Sequence, residues 1–185
     1  MGPSDEELML AYAGGDAGAF ESLYARHKGP VLRFVLRSVR SRAEADELFQ
    51  DVWMRAIEAR ARYRAEAKFT TWLYTIAHHR IIDHWRAKGL TTVSLDDEES
   101  AVDEPRAPPS SEPARMAEAA DTAKRLEAAI AALPLAQREA FLLHHEGELT
   151  AAEIAAATGT NEEAAKSRLR YAMNKLREAL GHDAT

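Results

Sequence analysis

The helical periodicity of this chain breaks in the middle, and the break divides the chain into two parts. Residues 91–115 contain four prolines between positions 105 and 113 and are rich in serine and acidic side chains. Proline opposes regular structure, and a polar, charged stretch has too little apolar surface to form a core. The sequence therefore predicts two small folded domains, 1–90 and 116–185, joined by an acidic linker.

Apolar residues recur at helical spacing on both sides of this linker. In the first domain, Ser4 and Glu7 have the spacing of a capping box for a short first helix. A second helix is expected over 17–40, with a kink or break at Gly29-Pro30, and a third over 43–61. A fourth helix is expected to begin at a Thr70 or Thr71 cap and to end at Gly89.

The second domain ends in a pattern typical of a helix-turn-helix. Residues 150–158 form a short apolar pattern, Gly159 permits a tight turn, and a longer pattern follows to Leu180. Between Ala164 and Arg177 there are five basic residues and no acidic one, which suits a helix lying between two rows of phosphates. Neither domain shows the alternation of a strand, so the expected fold is all-α and duplex DNA is the first candidate partner.

Composition limits the alternatives. The chain has 185 residues, no cysteine and a formal net charge of −6. Residues 91–120 hold 2 basic and 8 acidic side chains, so the middle of the chain supplies the deficit and DNA binding is not excluded. The sequence has no basic start followed by a long apolar run, so we expect a cytoplasmic protein without direct membrane insertion.

Basic groups lie beside aromatic ones in the fourth helix and the loop before it. Residues 62–88 hold six basic groups against two acidic ones. Cations that follow a backbone and pockets that receive unstacked bases are what single-stranded DNA binding requires. Trp72 and Trp85, at helical spacing, are better interpreted as packing residues.

In combination, these segments resemble bacterial RNA polymerase sigma factors of the small, two-domain extracytoplasmic-function type. The stretch ADELFQDVW is similar to the family's polymerase-binding helix, and WLYTIAHHRIIDHWR is similar to the helix that opens the promoter. The helix-turn-helix follows both in the family's order. The resemblance covers nearly the full chain and implies a non-enzymatic specificity subunit without a cofactor or metal. The partners it implies are the clamp helices and flap of core polymerase, promoter DNA and an anti-sigma factor.

The resemblance also assigns roles to individual residues. It assigns polymerase binding to one polar helix face, at Asp46, Glu47, Gln50 and Asp51. It assigns minus-10 DNA binding to Lys68, His78, His79, Arg80, Asp83 and Arg86. It assigns minus-35 DNA binding to Lys166, Ser167, Arg168, Arg170, Tyr171 and Lys175. The acids of the linker, at Asp96, Asp97, Glu98 and Glu99, would lie in the polymerase active-site cleft and RNA exit channel; a plain tether is the alternative.

The chain departs from the family pattern at several of these positions. His78-His79 stands where the family often has Arg-Asn, and Tyr171 and Met173 stand where arginine is commoner. A neutral imidazole donates and accepts one hydrogen bond each, with a different reach from an amide. The sequence preferences at both promoter elements are therefore open.

Two rival functions remain at this stage. One is a stand-alone helix-turn-helix regulator that binds duplex DNA, usually as a dimer. The other is a metal enzyme that uses the histidine-rich stretches, with ligands drawn from His78, His79, Asp83, His84, His144, His145 and Glu146. The spacing argues against the enzyme, because adjacent residues point about 100° apart on a helix and no H-E-x-x-H pattern occurs.

Overall fold

The computed structural model describes residues 2–89 and 114–181, and side chains from 119 onward in the second range. Within these ranges the chain is helical and contains no strand, which confirms the all-α prediction. The helices are α1 (Asp5–Ala13), α2 (Ala17–Ser38), α3 (Arg42–Ala59), α4 (Phe69–Ala87), α5 (Ala114–Ala132), α6 (Leu135–Gly147), α7 (Ala151–Thr158) and α8 (Glu162–Gly181). A short 3-10 turn, Arg60–Arg62, follows α3. The linker acids at 96–99 lie outside the described residues.

Two helices begin at capping boxes. The Ser4 hydroxyl accepts a hydrogen bond from the backbone N–H of Glu7, and the Glu7 carboxylate accepts one from the backbone N–H of Ser4. Thr150 and Glu153 form the same reciprocal pair at the start of α7. Each box satisfies two backbone donors that helix geometry leaves unpaired, so local sequence determines where these helices begin.

The sequence predicted either a kink or a break at Gly29-Pro30, and α2 does not break there. It runs without interruption from Ala17 to Ser38 with Pro30 inside it. Val31, Phe34 and Val35, which follow the proline, have no exposed surface. Burying these three side chains offsets the hydrogen bond that proline removes from a helix interior.

The prediction that Thr70 or Thr71 caps α4 was wrong. α4 begins at Phe69, and its N-cap residue Lys68 makes no side-chain capping bond. The backbone N–H of Phe69 instead donates to Glu6 Oε1 of α1, at 2.7 Å. Thr71 is buried inside the helix. A carboxylate 63 residues away in the chain therefore satisfies this donor.

The aromatic residues of the first domain pack against one another, as expected for the tryptophans. Trp85 is buried and Trp72 is partly buried against the core. The Trp72 ring lies edge-on to Tyr63, with ring centroids 5.2 Å apart. These rings hold α4 in place by packing and leave its polar face to other contacts.

The second domain contains the expected helix-turn-helix, formed by α7 and α8. Gly159 ends α7 in the left-handed conformation, with φ of 68°, which favours glycine. Asn161 then accepts a hydrogen bond from the backbone N–H of Ala164 at 2.8 Å and so caps the first turn of α8. Ala165, Ala172 and Leu176 form the buried side of α8.

The two domains pack directly on each other and share a continuous core. α2 and α4 of the first domain contact α6 and α7 of the second. The Tyr74 ring, which is 1% exposed, lies edge-on to Phe34 and faces Gly147 of α6. Among the described helices, none has the length and apolar character needed to cross a membrane.

Candidate polymerase and promoter surfaces

The predicted polymerase-binding residues form one polar face of α3. Glu47 and Gln50 are exposed, and Asp46 pairs with Arg42 at 3.0 Å. Asp51 is half-buried and pairs with arginines on α3 and α4. Glu47, Gln50 and Asp51 follow Asp46 by one, four and five residues, and this spacing brings all four side chains to one side of the helix. Together with Met54 they form what we call the clamp face.

Met54 was missed by the sequence reasoning. Its side chain is 54% exposed and lies one turn beyond Gln50, seven residues after Glu47. A large exposed apolar side chain within a polar face is typical of the centre of a binding surface. The helical spacing from Glu47 and Gln50 was the signal that would have identified it.

The predicted minus-10 residues on α4 differ in their exposure. His79, Asp83 and Arg86 are exposed, whereas Arg80 is half-buried. The Arg80 guanidinium pairs with Asp83 at 2.9 Å and also with Asp51 of α3. Arg80 therefore connects the clamp face to the minus-10 surface.

Two other predicted minus-10 residues contact the second domain. His78 Nδ1 lies 2.5 Å from Glu139 Oε1 of α6, and both side chains are nearly buried. Lys68 Nζ lies 2.9 Å from Glu153 Oε1 of α7. A hydrogen bond from the backbone N–H of Thr150, aided by Lys68, holds the pKa of Glu153 below its usual range. In this conformation the second domain therefore covers His78, one of the residues that the resemblance assigns to minus-10 DNA.

A third contact between the domains involves arginines that the sequence reasoning did not single out. Arg33 Nε lies 2.8 Å from Glu146 Oε2, and Arg37 Nη1 lies 2.5 Å from Glu146 Oε1. The Glu146 side chain is only 3% exposed. Two guanidinium groups compensate the cost of burying this carboxylate.

In all three contacts the carboxylates come from the second domain and the cationic or imidazole groups come from the first. The carboxylates are spaced seven residues apart, and we call them the acid row: Glu139, Glu146 and Glu153. This spacing was visible in the sequence, but nothing local indicated that the row faces the first domain.

The predicted minus-35 residues lie on α8. Lys166, Arg170, Tyr171 and Lys175 are exposed, and Ser167 and Arg168 are half-buried. Lys166 pairs with Glu162 at 2.9 Å and Glu163 at 3.2 Å, and these hydrogen bonds raise the pKa of Lys166. Glu162 and Glu163 therefore partly neutralise the first turn of α8, whereas Arg170 and Lys175 lie in its later turns.

The histidines proposed as metal ligands have protein partners. His78 contacts Glu139, and His144 Nδ1 lies 2.8 Å from the carbonyl oxygen of Leu149. The His145 ring stacks on Phe141. Within residues 2–89 and 119–181, no group of three or more His, Asp or Glu side chains is arranged to hold a metal ion.

Comparison with known proteins identifies the family. A model described as Sigma-70 region 2 matches residues 23–91, and one described as Sigma-70, region 4 matches residues 123–176. The RNA polymerase sigma factor CarQ of Myxococcus xanthus is 32% identical over 173 residues, which are 94% of this chain and 95% of CarQ. The ECF RNA polymerase sigma factor SigM of Mycobacterium tuberculosis is 29% identical over 180 residues, covering 97% and 86% of the two chains.

Two solved structures share the fold. One is CnrH in complex with the cytosolic domain of CnrY, with a TM-score of 0.70, 21% identity and coverage of 98% of this chain and 100% of the matched chain. The other is the Bartonella quintana sigma factor RpoE with the anti-sigma factor NepR, with a TM-score of 0.66, 23% identity and coverage of 89% and 98%.

The chain belongs to the sigma-70 family of RNA polymerase sigma factors, in its extracytoplasmic-function group. It directs RNA polymerase to promoters and is a non-enzymatic initiation factor that binds core polymerase and promoter DNA. The order of region 2 before region 4 does not favour a stand-alone helix-turn-helix regulator.

Proposed function

We propose that the free chain holds its minus-10 surface against its own second domain and exposes it on binding core polymerase. Two of the six residues assigned to minus-10 binding, Lys68 and His78, pair with the acid row when the two domains are packed together. We call this arrangement the closed conformation. At each of these two residues, a carboxylate of the second domain takes the place of the DNA phosphate that would otherwise bind there. Single-stranded DNA therefore competes with the acid row for the same groups.

The clamp face is our assignment for polymerase binding. Asp46, Glu47, Gln50 and Asp51 supply acceptors, and Met54 supplies apolar contact area one turn beyond Gln50. All five side chains lie away from the interface between the domains, on α3, which makes few contacts with the second domain. Polymerase can therefore bind the clamp face while the chain is still closed.

Promoter opening is assigned to α4. His79, Asp83 and Arg86 are exposed in the closed conformation and begin the capture of the unpaired strand. Lys68 and His78 join them when the domains separate, and Arg80 positions the surface through its contacts with Asp51 and Asp83. The bubble is thus stabilised most when both domains are on the polymerase.

Minus-35 binding is assigned to α8 in a second domain of residues 116–185. Arg170 and Lys175 follow the phosphates, and Ser167 and Tyr171 face the groove. Lys166 leaves Glu162 and Glu163 when a phosphate is offered, and Arg168 completes the set from the side of the helix. The acidic linker between the domains enters the polymerase channel.

Two further assignments concern regulation and place of action. Proteins of similar fold have been solved in complex with the anti-sigma factor NepR and with the cytosolic domain of CnrY. We therefore propose that this chain also binds an anti-sigma factor. Core polymerase and the chromosome are in the bacterial cytoplasm, so the chain acts there.

The decisive experiment measures one interaction with and without polymerase. A fluorescent single-stranded minus-10 oligonucleotide, chosen by run-off transcription from a randomised promoter pool, is titrated with the free chain and with the chain bound to core. We expect at least about tenfold tighter binding to the holoenzyme, beyond what core alone gives, because a closed chain pays the cost of opening. Equal affinity of the free and bound chain would contradict the closed state.

A further inference from the structure

α8 exposes more large apolar surface than a helix built only for phosphate contacts requires. In the described part of the chain, five large hydrophobic side chains are more than about a third exposed, and three of them are on α8: Tyr171, Met173 and Leu180. Leu180 belongs to the last turn of α8, whereas Tyr171 and Met173 lie among the basic residues. Tyr171 therefore places an exposed aromatic ring among the residues assigned to DNA contact.

The helix turns Tyr171 away from the domain core. Ala165, Ala172 and Leu176 are buried, so at about 100° per residue the outward stripe runs through Ser167, Tyr171 and Asn174. Tyr171 lies between Ser167 and Asn174 along the helix axis, on the edge of this stripe, and is 44% exposed.

Met173 points elsewhere and provides an internal comparison. It lines an open pocket with His144 of α6 and with Leu169 of its own helix. Its exposure, 38%, is close to that of Tyr171. The two side chains therefore offer similar apolar area in different directions.

The Tyr171 ring is held by a neighbouring charge. The Arg170 guanidinium lies over the ring, 5.4 Å from its centroid. A cation over one face restricts the ring and leaves its edge and opposite face for a partner. Arg170 itself remains exposed and is able to reach a phosphate.

The major groove offers one apolar group to such a ring. Among the four bases, only thymine presents a methyl group there, while the other contacts are hydrogen-bond donors and acceptors. We propose that Tyr171 reads a thymine methyl group in the minus-35 element, so that the base pair facing this ring is A·T. This inference rests on the proposed placement of α8 at minus-35 DNA.

The test removes a single methyl group from the DNA. Holoenzyme assembled from core and the full chain selects promoters from a pool randomised in the minus-35 element, and each selected thymine is then replaced by deoxyuridine. We expect one replacement to weaken holoenzyme binding about fourfold, the factor given by burial of one methyl group. Tyr171→Ala should abolish that sensitivity, and Tyr171→Phe and Met173→Ala should retain it.

Three results would overturn the inference. One is a selected element without thymine, and the second is deoxyuridine sensitivity that survives Tyr171→Ala. The third is a loss of binding in Tyr171→Phe with no effect of deoxyuridine, which would assign the phenol hydroxyl to a phosphate instead. If no promoter is selected and no transcription occurs, the proposed function fails as well. This outcome is therefore distinguishable from failure of the Tyr171 inference alone.

Discussion

Gly147 of α6 lies close to the Tyr74 ring of α4. A methyl group at this position would lie 2.9 Å from Cε2 and 3.1 Å from Cδ2 of Tyr74, and 3.3 Å from Cγ of Leu149. Tyr74 has little freedom to move because its ring is buried against Phe34. Burial also raises the pKa of Tyr74, whose hydroxyl is buried without a hydrogen-bond partner. The size of residue 147 therefore controls how closely α6 approaches α4.

Gly147→Ala is expected to open the closed conformation. Overpacking of this kind costs about 1–3 kcal/mol, so the urea midpoint of unfolding should fall. The free chain should also bind a single-stranded minus-10 oligonucleotide more tightly, as measured by fluorescence anisotropy. Gly181→Ala in α8 is the matched control, since a methyl group at that position meets nothing within 4 Å. That control should leave the urea midpoint and the binding of the minus-10 oligonucleotide nearly unchanged; similar behaviour of the two variants would contradict the role of Gly147.

Helix α3 presents the clamp face with an apolar side chain among polar ones. Exposed methionine adapts its shape to a partner surface, and the polar residues around it exclude water from the contact. Met54 is more than half exposed in the free chain, so it contributes little to the folded state. Its contribution should appear when polymerase binds.

Met54→Ala should lower the affinity of the chain for core polymerase about tenfold, as expected when a central apolar contact worth about 1.4 kcal/mol is lost. Thermal unfolding of the free chain should change little. Leu10→Ala is a matched control, because Leu10 is 49% exposed but lies on α1, outside the clamp face. Competition between labelled and unlabelled chain for core measures both variants, and equal losses would refute the assignment of Met54.

The elements that could be predicted from the sequence are those whose signals are local. The capping boxes at Ser4 and Thr150 and the turn at Gly159 lie within a few residues of the helix ends that they determine. The start of α4 could not be predicted, because its first donor is satisfied by Glu6 from another helix. The continuity of α2 at Pro30 likewise depends on packing that becomes visible only in three dimensions.

The candidate surfaces follow the same division. The outward stripe of α8 and the polar face of α3 follow from helical spacing alone. The burial of His78 does not follow from helical spacing, because its partner Glu139 belongs to the other domain, 61 residues away. The seven-residue spacing of the acid row is visible in the sequence, but it does not indicate which surface of the first domain these carboxylates contact.

The whole molecule separates its charges between the two faces that meet. The first domain contributes Arg33, Arg37, Lys68 and His78 to the interface, and the second contributes the acid row. Each pair alone would stabilise the closed state only modestly, and the burial of Glu146 makes its pairs the most consequential. A net charge of −6 and a partly covered minus-10 surface both weaken the binding of the free chain to DNA.

Replacing the acid row by its neutral amides should therefore activate the free chain. The triple variant Glu139→Gln, Glu146→Gln and Glu153→Gln keeps the side-chain shapes, and glutamine still serves the capping box of α7. Loss of the exposed Lys68–Glu153 pair costs about 0.5–1 kcal/mol, and loss of the buried Glu146 pairs costs more. The affinity of the free chain for a single-stranded minus-10 oligonucleotide should therefore rise about tenfold or more. Transcription by the holoenzyme should change little, because the domains are already apart on polymerase.

Net charge alone predicts a smaller and less specific effect, which a second triple variant measures. Glu21→Gln, Asp121→Asn and Glu127→Gln change the charge by the same amount at exposed positions of α2 and α5, outside the acid row. If the acid row covers the minus-10 surface, only its own variant gains affinity in the absence of core, and the gain persists at a salt concentration where general charge effects are screened. Equal gains in both triple variants would show that the closed conformation does not control access to α4.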